Sequence, residues 1–299
     1  MSKTEKTGFF SNIKGDLTGG LTAAIIALPM GLAFGLQSGM GAEAGLYTAI
    51  ILAIVASIIA GTKTLISDPT GPMTIVAAGI YAAAMDTDGG GMVVVICTFA
   101  LAGIFQIAFG FIKVAQYVKY ISYPVLSGFM GGIGIIIILF QWHSFFGENL
   151  KDEMIKNGEG PANGVIDIIS HLPDPIMHHH WSSIILGLIT ILLIYLLPLI
   201  SRKIPAGLIA LIIGTLISFG IAELNLGEEW AFKTIGAIPD TLPDFQIGVL
   251  MEFDITKLTI IVVGALTLAG LGTIDTLLTS VVADNVTKTK HNGNRELMG

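Results

Sequence analysis

Two long apolar runs of this chain are separated by Ser67-Asp68-Pro69-Thr70-Gly71-Pro72-Met73-Thr74, a segment whose prolines forbid a continuous helix. Irregular backbone at bilayer depth survives only where it is buried in protein or lines a polar cavity. The turn is therefore the first candidate binding site. Its order adds a direction: the prolines and Thr70 precede the run from Met73 to Met85, so a helix starting there points free N–H groups inward. Helix starts of this kind hold anions.

Composition places that turn in a membrane. Of 299 residues, 53% are hydrophobic and 12% charged, and the mean hydropathy is +0.80, a profile incompatible with a fully solvated surface. Charge-poor stretches of bilayer-spanning length run over 19–36, 44–60, 70–85, 93–112, 123–146, 183–199, 206–222 and 258–282. The segment Met1 to Asp16 is polar, so no cleavable signal peptide is expected. With a cytoplasmic N-terminus, inner segments hold 11 of the 15 basic residues and outer loops only Lys151, Lys156, Lys233 and Lys257, which is the bias of a multi-pass inner-membrane protein. The net charge of −7 comes mostly from acidic outer loops around 148–174 and 223–254. Lone Cys97 reads as a small core side chain.

Glycine makes up 37 residues. Gly15, Gly19 and Gly20 before span one and Gly128, Gly131, Gly132 and Gly134 in span five read as close-packing positions, with hinges as the alternative. Span one carries its own Leu28-Pro29-Met30-Gly31 break, with an ordinary proline kink as the alternative. Two interrupted helices in one block are the pattern of a secondary transporter with its site near the midplane.

Only Asp68 and Asp275 are acids deep in a span or its break, and an intramembrane acid is a functional candidate by default. Asp275 and Thr279 stand i to i+4 on one helix face and offer hard oxygen ligands suited to a small cation or a proton. The competing reading ties the carboxylate to a neighbouring helix end or backbone group. Asp68, before Pro69 and Thr70, reads as a helix cap, with Thr70, Gly71 and Met73 facing the space in front of the helix. His178 to His180 read as a solvated loop edge rather than a metal site, and His143 and Trp142 as interfacial. No HExxH, GxSxG or Walker pattern is present, so neither an enzyme nor an organic or metal cofactor is expected, and nothing points to nucleic acid.

Residues 15–24, 26–35, 44–47, 67–74 and 127–130, with Ile274-Asp275 through Asp284 and His291-Asn292, resemble the SulP (sulfate permease) anion transporters, and within them the cyanobacterial-type sodium-dependent bicarbonate branch. The resemblance implies an all-α polytopic protein of fourteen segments in two inverted seven-segment repeats, with a core domain, a gate domain, a cytoplasmic STAS domain and a short extended stretch before the half-helix of segment three. Carried onto this chain, it implies a cytoplasmic tail at 1–18, core segments 1–4 at 19–121, gate segments 5–7 at 122–222 with an outer loop at 147–181, an outer loop at 223–257, and core segment 8 with its cytoplasmic end at 258–299. It implies an anion site at Thr70, Gly71 and Met73 and a sodium site at Asp275 and Thr279. These residues reach only the eighth segment, so the expectation is an incomplete transporter record that lacks segment ten, the rest of the gate and the STAS domain, and that does not transport alone.

The leading expectation is sodium-coupled bicarbonate uptake by an elevator-like core movement, with sodium as coupling ion and a homodimer of the full-length protein. The alternatives are proton-coupled sulfate transport on the same fold, an anion channel, and a non-transporting membrane scaffold.

Overall fold

The computed structural model describes residues 13–62, 64–85, 91–120, 122–148, 165–177, 179–200, 206–224, 232 and 255–299. Among them every regular element is helical. The helices in chain order are α1 (Ile13–Gln37), α2 (Ala42–Ile59), α3 (Gly71–Met85), α4 (Gly91–Phe111), α5 (Tyr123–Phe145), α6 (Val165–Ser170), α7 (Asp174–Met177), α8 (Trp181–Ile200), α9 (Ala206–Glu223), α10 (Leu258–Thr287) and α11 (Gly293–Met298). Short 3-10 turns cover Val114–Tyr120 and Ile255–Lys257. Seven of the helices are long and apolar enough to cross a bilayer, and α3 is the shorter apolar eighth. The eight spans expected from hydropathy are therefore all helices, within a few residues at their ends.

The buried core lies where α3, α4 and α10 meet. Ile80 of α3, Ala102 of α4 and Ala265 and Leu268 of α10 form one cluster, extended by Met73, Val76 and Phe105. Ala84, Val94, Val95 and Ile261 form a second, against which Tyr81 and the partly buried Cys97 pack. Here α10, flanked by α3, α4 and α11, is buried along much of its length, and α1 pairs with α2. A second packing group consists of α8 with α9 and α5 with α6 and α8, joined to the first through α3–α5 and α1–α9 contacts. The outward faces remain apolar, as on Ile54, Ile58, Ile138 and Leu192, which suits side chains that meet lipid.

Two expectations about helix geometry are corrected. Span one is not broken at Leu28–Gly31: α1 runs continuously from Ile13 to Gln37 with Pro29 inside it. A proline deletes one backbone bond, which a membrane helix packed on neighbours tolerates. The close-packing glycines also lie elsewhere. At Gly19, Gly20, Gly128, Gly131, Gly132 and Gly134 an added Cβ would meet nothing within 4 Å among the described residues. The tight approach is between α1 and α2, where a Cβ on Gly31 would stand 2.8 Å from the Ala49 Cβ and one on Gly45 2.7 Å from the Gly35 Cα. Apolar helices in lipid gain from dispersion between close backbones rather than from leaving water. Direct backbone contact explains why those positions carry no side chain.

Gly45→Ala is accordingly expected to destabilise the solubilised protein by about 1–3 kcal/mol, as overpacking does. Gly131→Ala, in open space, is expected to change stability by less than about 0.5 kcal/mol. Thermal unfolding in detergent reads both, and equal losses would contradict the α1–α2 assignment.

Candidate functional site

The interruption between α2 and α3 sits in the core group. After Thr64 the chain has no regular structure through Thr70, and α3 starts at Gly71. Pro72 lies in the first helical turn, where its missing N–H is not needed. The Thr70 carbonyl accepts the Thr74 N–H at 2.9 Å and the Thr74 hydroxyl at 2.8 Å. Thr70 thus occupies the cap position, and the N–H groups left over in the first turn belong to Gly71 and Met73.

Asp68 is not the cap that the sequence led us to expect. It stands two residues before the cap position, and its Oδ1 is buried without a hydrogen-bond partner among the described residues.

The hydroxyl of Thr70 turns to α10 and donates to Asp275 Oδ2 at 2.8 Å across 205 positions of sequence. Asp275 is buried at 8% exposure. Thr279 shares its face as expected, but its hydroxyl donates to the Asp275 backbone carbonyl at 2.8 Å rather than to the carboxylate. Both threonine protons are committed, so both oxygens present lone pairs. This leaves Thr70 better placed to accept a cation beside Asp275 than to donate to an anion. The groups left to donate at this tip are the backbone N–H groups of Gly71 and Met73.

Neighbours close the tip of α3. A Cβ on Gly71 would stand 3.0 Å from Ile137 Cγ1 of α5 and 3.9 Å from Phe34 Cε1 of α1. Behind it, Gly272 opens a niche on α10: a Cβ there would stand 2.6 Å from Gln106 Nε2 and 3.4 Å from Met73 Sδ. Gln106 was missed in the sequence reading. As an amide inside the apolar run of α4 it could have been flagged. Thr273, also on α10, has a buried hydroxyl without a partner among the described residues.

At the outer end of α5, His143 is buried inside the protein at 3% exposure, and among the described residues its Nε2 lacks a partner. The reason is that α6 folds over the end of α5, with Ile168 against Leu139 and Phe140, while Trp142 Nε1 donates to the Leu172 carbonyl at 2.9 Å. His179 stacks edge-on against Trp181, His180 lies 3.4 Å from Glu148, and His178 is outside the described residues.

The sulfate permease family profile matches residues 13–299. The chain belongs to that family. Relatives in it include the bicarbonate transporter BicA of Synechocystis, 42% identical over 80% of this chain and 40% of that protein. The BicA of Picosynechococcus is 41% identical over the same shares. The chain thus spans about 40% of the length of these curated relatives. Among solved structures, the transmembrane domain of a cyanobacterial BicA superposes with a TM-score of 0.77 at 42% identity, covering 97% of this chain and 70% of that one. SLC26A9 superposes at 0.69 with 21% identity, a likeness of fold. The sulfate permease chain described here is therefore an all-α, multi-pass membrane protein.

Loss of the Thr70–Asp275 bond leaves a buried carboxylate short of a donor, a loss of about 1–3 kcal/mol. Thr70→Val is expected to lower the thermal midpoint and Thr70→Ser to preserve it. Thr273→Val, which removes an unsatisfied hydroxyl, is expected to be neutral or stabilising. A midpoint for Thr70→Val equal to that of the parent would contradict the assigned bond.

Proposed function

We propose that this protein is a secondary transporter of a small oxyanion, coupling bicarbonate uptake to sodium, with the anion at the Gly71–Met73 tip of α3 and sodium at Asp275, Thr279 and Thr70. The observation that carries the reading is the hydrogen bond that places the Asp275 carboxylate against the start of α3. That start contributes roughly half a positive charge. One full negative charge beside it leaves a net of roughly minus one half, and an oxyanion is repelled. A sodium ion on the carboxylate reverses the sign to roughly plus one half, and the tip then attracts the anion. Each ion consequently raises the affinity for the other by the same factor.

Backbone N–H groups and a carboxylate recognise oxyanions and hard cations by charge and size. The similarity to BicA supports bicarbonate and the family name supports sulfate. In the proposed movement, the group of α1–α4 and α10 slides as a core against a gate of α5, α8 and α9, in a plasma membrane with the N-terminus cytoplasmic. The basic residues at the ends of the spans support that orientation.

Asp275→Asn in the intact protein is expected to abolish the sodium dependence of labelled bicarbonate uptake. Retention of full sodium stimulation would remove the proposal. Competition by unlabelled sulfate, with sodium varied at fixed pH, reads the substrate; sulfate uptake that follows protons and ignores sodium would replace this reading with proton-coupled sulfate transport.

A further inference from the structure

The segment that carries the site is tied down at its far end as well. At the end of α2 the carbonyls of Ile58 and Ile59 are orphans of the helix, and Arg295 fills them: Nε donates to Ile59 at 2.7 Å and Nη2 to Ile58 at 3.3 Å. A cation there also complements the negative end of the helix dipole. The next residue but one, Gly61, is gripped on both sides. Its N–H donates to Glu296 Oε2 at 2.8 Å, and its carbonyl accepts the Asn292 N–H at 3.1 Å. A Cβ on Gly61 would run into the Asn292 carbonyl and stand 3.0 Å from the Glu296 nitrogen. Thr62 then joins Ser280 of α10 through a hydroxyl pair at 3.1 Å.

All three side chains beneath the site are buried, Glu296 at 5% exposure, Thr62 at 8% and Ser280 at 0%. The short helix that supplies Glu296 and Arg295 is itself fixed. Asn292 Oδ1 accepts the Arg295 N–H at 3.2 Å, and Asp284 holds His291 through its N–H at 3.0 Å and Nδ1 at 2.7 Å. On α10, Ser280 lies five residues beyond Asp275, a rise of about 7.5 Å. Thr62 and Thr70 are therefore each pinned to the same helix, and the two positions cannot slide independently.

We propose that α11 is a clasp that sets the register between the tip of α3 and Asp275, with Glu296 as its positioning residue. Glu296 touches neither ion; it acts through Gly61 and the strip that ends at Thr70. The clasp deepens the transport reading, resting on it only where ion affinity is measured.

The test has one arm that is blind to transport. In the intact protein carrying Cys97→Ala and Ser67→Cys, a membrane-permeant maleimide reports how far the strip opens. Glu296→Ala is expected to raise the labelling rate by about fivefold, the shift given by loss of one buried hydrogen bond. Glu296→Gln keeps an acceptor oxygen for the Gly61 N–H and is expected to label like its parent. Parental labelling in Glu296→Ala would overturn the clasp. Should Glu296→Ala fail to accumulate in membranes, Arg295→Ala removes the bonds from the same helix to the Ile58 and Ile59 carbonyls and is read in the same way, with parental labelling again overturning the clasp.

The second arm is sodium-dependent uptake. Glu296→Ala is expected to raise the half-saturating sodium concentration several-fold with the maximal rate retained, and Glu296→Gln to restore it. Raised labelling with unchanged sodium dependence would uphold the clasp and sink the sodium reading of Asp275.

Discussion

A helix that begins inside a bilayer needs partners for its first N–H groups, and the rest of this structure is arranged around that requirement. The start of α3 is closed by its cap residue Thr70, whose carbonyl takes the Thr74 N–H and whose hydroxyl donates to a buried carboxylate on α10, so the N–H groups of Gly71 and Met73 are left for other partners. The bond joins residues 205 positions apart and places a negative side chain beside the positive end of a helix. Without Asp275 the interruption would be an unpaired defect. Without the interruption, Asp275 would be a buried charge with no donor.

Packing around this contact follows from the solvent. Apolar side chains gain little by moving from lipid to another helix, so the close contacts are made by small residues and backbone, as where Gly31 and Gly35 meet Gly45. Polar side chains in the core instead form a short series along α10, from Asp275 with Thr70 to Ser280 with Thr62. In a medium of low dielectric each of these bonds is strong when made and costly when lost. The same helix therefore serves as wall of the site and as anchor for the strip that bears it.

The spans, the broken third segment and the isolation of Asp275 as an acid within an apolar run were legible because each depends on local properties: hydropathy over about 20 residues, proline geometry, and the cost of a charge in hydrocarbon. Pro29 misled because a proline has the same local effect whether or not neighbours compensate for it, and here the helix continues. The glycine-rich stretch of α5 misled for a related reason: small residues permit close approach, but only a facing helix uses it. His143 looked interfacial from its place near the end of a span, and is covered by α6, which returns over α5 from more than 20 residues later. The Glu296–Gly61 contact depends on a pair distant in sequence, and no spacing rule points to it.

Sequence alone determined that this chain enters the membrane, where it crosses, and that one crossing is interrupted beside Thr70, since these properties follow from composition and the rigid geometry of proline. It also singled out Asp275, because a lone acid in an apolar run stands out in one dimension. Tertiary structure decided that Thr70 gives its proton to that acid and that α11 grips Gly61. Those outcomes turn on which of several competing partners comes within hydrogen-bonding distance, and only the packing of distant helices settles that.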